Sequence, residues 1–113
     1  MPDRLFIYGS LQPGGANEHV LASVEGEWEP AIIKGTLVHA GWGAELGYPG
    51  LLLDPEGGEV PGYVFSSSRL SSKWAELDAF EGPEYRRVTT MVVTADGREV
   101  EACVYALRAE QVE

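Results

Sequence analysis

The run YRRVTTMVVTADGREVEACVYAL, residues 85–107, decides how this chain folds. Its two halves, 85–94 and 98–107, are rich in β-branched, aromatic and small apolar residues and flank Asp96-Gly97. Such residues suit a pleated, half-buried surface, and an Asp-Gly pair meets the φ > 0 requirement of a tight hairpin turn. Two strands therefore end the chain as an antiparallel hairpin. No helix signal separates them, which disfavours a doubly wound parallel sheet, where strands and helices alternate.

Immediately upstream, RLSSKWAELDAF (69–80) carries the clearest helix pattern, over residues 70–80. Leu70, Trp74 and Leu77 recur at i, i+4 and i+7 and make one apolar stripe. Ser71 or Ser72 can cap its start, Gly82 suits the left-handed position after its end, and Pro83 prevents continuation. Further toward the N-terminus, short apolar runs bounded by turn residues predict strands at 4–8 (RLFIY), 31–39, 50–54 and 59–66. Gly35 inside the second of these marks a bulge or a close backbone approach. NEHVLASV (17–24) suits a short helix capped by Asn17. The expected class is α+β: a small mixed β-barrel of five to six short strands with one or two flanking helices.

At 113 residues the chain fits a single domain, 1–113. A domain of this size buries roughly 60–70% of its unfolded surface, enough for one core without staples. Eight Lys and Arg against 18 Asp and Glu leave a net charge of −10. That balance opposes nucleic-acid binding, which depends on Lys and Arg displacing phosphate counterions, and opposes docking on an anionic membrane. The start of the chain lacks the apolar stretch of a signal peptide, and no run approaches the ~20 apolar residues of a membrane span; a cytoplasmic location is expected. Cys103 is the only cysteine, reads as a small buried apolar residue, and cannot form an intrachain disulfide. His19 and His39 are not spaced as a metal pair, and no zinc cluster is present. Neither metal nor cofactor is expected.

Between the first strand and the Asn17 helix lies a glycine-containing loop, YGSLQPGG (8–15). It has no Gly-Lys-Ser/Thr ending and no G-x-G-x-x-G spacing, so neither nucleotide-binding motif is met. Two readings remain. Either the turn is merely tight, or the N–H groups of Gly9, Ser10 and Leu11 turn outward together as a small anion-binding concavity able to hold a carboxylate. Ser10 is not part of a Gly-x-Ser-x-Gly elbow and is a poor candidate nucleophile.

Glu81 is the unusual acid. Residues of a helix are about 100° apart, so Glu81 lies within about 40° of Leu77 and about 20° of Leu70. It thus continues the stripe that enters the core, whereas Glu76 and Asp78 are rotated away. Burial raises a carboxyl pKa, and so does a position at the helix C-terminus, where negative charge is disfavoured by roughly 0.3–1 kcal/mol. Such a glutamate has the profile of a general acid/base. The other reading is structural, an ion pair with Arg86 or Arg87.

Taken together, FIYGSL (6–11), YPGLLL (48–53), ELDAFEGPEYRR (76–87) and EACVYAL (101–107) resemble the γ-glutamylcyclotransferase-like family over nearly the whole chain. The resemblance implies a small mixed barrel whose cavity lies at the Tyr-Gly-Ser-Leu loop. It implies that Tyr8, Gly9, Ser10 and Leu11 bind the amino-acid end of a small-molecule γ-glutamyl substrate, with Glu81 as catalytic acid/base and Tyr85 and Arg87 in support. The activity implied is conversion of a γ-glutamyl amide or amine to 5-oxoproline and a free amine, an intramolecular aminoacyl transfer. A non-catalytic module that binds an amino-acid-like ligand with the same fold is the rival. Where many relatives follow the loop with basic residues, this chain has Gln12-Pro13, and Glu18 precedes His19.

Overall fold

A computed structural model of the protein describes residues 3–8, 21, 24–38, 50–54, 56–82 and 85–107. Among these residues, six strands, β1 (Arg4–Ile7), β2 (Glu27–Val38), β3 (Gly50–Leu53), β4 (Gly58–Ser66), β5 (Tyr85–Thr94) and β6 (Glu99–Leu107), are accompanied by one helix, α1 (Trp74–Glu81), and a 3₁₀ turn, Leu70–Ser72. They form one sheet in the order β3-β2-β4-β1-β6-β5. A further pairing of β2 with β5, Ala31 with Thr94 and Ile32 with Val93, closes five strands into a barrel. Closure removes the exposed edges that a short open sheet would present. Every pairing is antiparallel except β1 with β6, where Leu5 meets Cys103 and Phe6 meets Val104. The mixed barrel is thus the architecture expected from the sequence, with β3 as an extra strand.

β2 makes this closure possible because it is long enough to serve several partners. Residues 27–35 pair with β4, while its other edge passes from β5 at 31–32 to β3 at 35–38. The strand begins four residues before the predicted start at 31. Pro30 and the acids Glu27 and Glu29 hide that extension, which is held by a long-range contact: Trp28 lies 4.7 Å from the Phe65 ring of β4.

Alternation along the strands feeds two cores. Phe6, Ile33, Val64 and Val104 point into the barrel. Leu5, Ile7, Cys103, Tyr105 and Leu107 face outward and are covered by Leu70, Trp74 and Leu77. β6 is therefore buried on both faces from Ala102 to Leu107. Leu21 and Val24 join the outer core, with Val24 N–H donating to Leu21 O at 3.0 Å. The remainder of the proposed 17–24 helix lies outside the described residues.

One local expectation is corrected. The helix does not begin at a capping serine. Lys73 precedes it in a helical conformation without a side-chain cap, and Ser72 Oγ donates instead to Arg69 O at 2.8 Å. The hairpin turns tightly at Asp96-Gly97 as expected: Thr94 N–H reaches Arg98 O at 2.9 Å, and Gly97 carries positive φ, 88°. That matches a three-residue loop ending in a left-handed glycine. Among the described residues no helix is long and apolar enough to cross a membrane.

Candidate active site

Trp74 and Leu77 are buried, Glu76 and Asp78 are exposed, and Glu81, the last residue of α1, is largely withdrawn from water. The apolar stripe thus carries the carboxylate inward at the helix end, although Leu70 belongs to the separate 3₁₀ turn. Gly82 then takes φ 83°, and its N–H closes the helix on Asp78 O at 3.1 Å. This conformation, open to glycine, returns the chain to the barrel at the buried Tyr85. Burial pushes the Glu81 carboxyl up from its ordinary 4.5 to about 7.

Tyr8 approaches from the other side. It follows β1, and its hydroxyl donates to Tyr105 O at 2.7 Å while accepting from Leu51 N–H at 3.1 Å. One phenol thereby ties the ends of β1, β6 and β3 together. Burial holds the Tyr8 phenol far above its usual range, partly offset by the Leu51 N–H, with Tyr85 and the Glu81 charge pushing it further up. Tyr8, Tyr85 and Glu81 are therefore electrostatic neighbours at one end of the barrel. Removing the Tyr8 hydroxyl deprives a carbonyl and an N–H of this partner, so Tyr8→Phe is expected to cost about 1–2 kcal/mol. Urea unfolding checks this, and an unchanged midpoint would rule out the bridge.

Of the residues expected at the site, Tyr8 and Glu81 are both described, and the Glu81 charge acts on the Tyr8 phenol. Gly9, Ser10 and Leu11 lie outside the described residues, as do Asn17, His19 and His39. Arg87, one of two candidate partners for Glu81, meets Asp78 Oδ1 at 3.3 Å and lies 4.6 Å over the Trp74 ring. Arg86 is exposed. The sequence reading missed the contact that accompanies this pair: Tyr105 hydroxyl donates to Asp78 Oδ1 at 2.7 Å. Asp78, Arg87, Tyr105, Tyr85 and Gly82 line a cleft of about 550 Å³ beside the helix end. No local pattern links residues 78 and 105, so nothing in the sequence pointed to it.

Solved structures share this architecture. YkqA from Bacillus subtilis is 29% identical with a TM-score of 0.71 over 96% of this chain, which spans only 36% of that protein. An AIG2-like protein from Mus musculus is 25% identical with a TM-score of 0.74, covering 96% of this chain and 81% of its own. A γ-glutamyl cyclotransferase at 20% identity and TM-score 0.65, covering 93% of this chain and 66% of its own, shares the fold. No curated protein matches the sequence. The family described as gamma-glutamyl cyclotransferase, AIG2-like, matches residues 5–113. With that match running along nearly the whole barrel, the chain belongs to the gamma-glutamyl cyclotransferase, AIG2-like family.

Proposed function

We propose that the protein converts a γ-glutamyl amide or amine to 5-oxoproline and a free amine, with Glu81 as general acid/base. The observation that carries this reading is a carboxyl that burial raises to about 7, whose charge acts on the Tyr8 phenol, in a chain of this family. The substrate's α-amine attacks its own γ-carbonyl carbon, forming the ring C–N bond. The bond to the leaving nitrogen then breaks. Glu81 takes a proton from the attacking nitrogen and delivers it to the departing one, so protons balance without an enzyme nucleophile. A group with both duties works best when its pKa lies near the working pH.

Attack within one molecule gains most from being held in the folded conformer; effective molarities on the order of 10⁵–10⁸ M are reached when the geometry is right. In this reading the main chain of Gly9, Ser10 and Leu11 binds the amino-acid end of the substrate and holds that conformer. The test incubates the protein with a panel of γ-glutamyl amines and dipeptides and follows 5-oxoproline by chromatography. Release of 5-oxoproline by the wild type is the expected result. Binding without product would sink the enzymatic reading and leave a module for an amino-acid-like ligand.

A further inference from the structure

We propose that Tyr105 is a positioning residue for Glu81: its hydroxyl, through Asp78, and its main-chain carbonyl, through Tyr8, set the separation between the helix end and the barrel end. The proposal rests on the reading of Glu81 as the acid/base. Tyr105 grips both sides. Its phenol holds Asp78 at 2.7 Å, and its carbonyl holds the Tyr8 hydroxyl at 2.7 Å. Its ring is buried in the outer core, and it sits opposite Arg87 in the β5–β6 register, so the cation that neutralises Asp78 comes from the neighbouring strand.

Asp78 is where α1 most needs a tether. The helix has eight residues, too few to hold its shape unaided, and helix ends fray. Trp74 and Leu77 anchor it by apolar burial before Asp78. Beyond it, Phe80 packs partly against the core. The Tyr105–Asp78 hydrogen bond adds a directional hold on the last turn, and with it on the aim of Glu81 three residues on.

Tyr105→Phe keeps the ring and the carbonyl and removes only the hydroxyl. With a γ-glutamyl substrate, kcat is expected to fall about tenfold or more, with KM changed less than about twofold. The Glu81 titration midpoint, read by carbon NMR of glutamate-labelled protein, should move from near 7 toward the ordinary carboxylate value as water reaches the loosened end. Tyr8, just after β1, and Tyr85 from β5 face that end among the described residues and remain unchanged in the variant, while Arg87 stays with Asp78. Asp78→Ala should reproduce both effects. Asp78→Asn, which keeps the acceptor oxygen, should lose less than about threefold in kcat. Lower thermal stability with an unmoved midpoint and an unmoved kcat, in both Tyr105→Phe and Asp78→Ala, would reduce Tyr105 to a structural role and overturn the proposal. Because the midpoint needs no turnover, wild type that releases no 5-oxoproline refutes the acid/base reading separately, while the titration still decides whether Tyr105 positions the carboxylate.

Discussion

Glu81→Gln is expected to silence 5-oxoproline release and, at the same time, to make the protein harder to unfold as pH rises. Loss of a general acid/base lowers turnover by about 10²–10⁴-fold, and the amide that replaces the carboxyl neither accepts nor returns a proton. The stability effect comes from the same burial. Unfolded, the carboxyl titrates near 4.5; folded, near 7. Below 4.5 both states hold the proton, and the group does not favour unfolding. Between 4.5 and 7 the unfolded chain ionises while the folded one resists, so stability drains as pH rises. Above 7 the loss is complete, and at most about 3 kcal/mol follows from the linkage. Glutamine is free of that titration. The gap between variant and wild type should therefore widen from pH 5 to pH 8 in urea unfolding, whatever its value at the acid end. A gap independent of pH would mean that the carboxyl meets water in the folded state. Wild-type kcat should rise through about pH 7 as the base form appears, and that inflection should be missing from any residual activity of the variant.

The parts of this site that could be foreseen are those written in local periodicity. Glu81 was legible because it shares a helical stripe with Trp74 and Leu77, and the same 3.6-residue spacing that buries them carries it inward. The hairpin was legible because β-branched strands meet Asp96-Gly97. What stayed hidden depends on residues far apart in the chain. β1 runs parallel to β6 across nearly the full sequence, and β2 closes on β5 over two residues. Neither choice leaves a trace in the pattern of either strand. The Tyr8 hydroxyl likewise chooses the carbonyl of Tyr105 and the N–H of Leu51, main-chain partners that any side chain at those positions would offer. The serine cap failed because the chain took a 3₁₀ turn over Leu70–Ser72 before α1 began, which put Lys73 rather than a serine at the cap position. Local chemistry proposes the elements. Barrel closure selects their partners.

Gly62 shows how closely that closure is packed, and Gly62→Ala is expected to be the most destabilising single methyl addition to the barrel strands. A Cβ at this position would overlap the carbonyl oxygen of Ile7 and approach the Phe6 ring to 2.8 Å. Phe6 is fully buried in the barrel interior and has nowhere to turn. The Ile7 carbonyl is backbone and has no rotamer to change. Relief must come from moving β1 away from β4, at a cost of about 3 kcal/mol, the upper end for overpacking. Because Tyr8 is the next residue, the displacement reaches the hydroxyl that joins Tyr105 and Leu51, so turnover should fall along with stability. Gly58→Ala is the matched control: it lies in the same strand, and its added methyl would meet nothing within 4 Å. That variant should unfold within about 0.5 kcal/mol of wild type, or be slightly more stable through lost freedom of the unfolded chain. Equal urea midpoints for the two variants would show that β1 and β4 yield easily at this point. In that case the close approach beneath Tyr8 would have no part in holding the site.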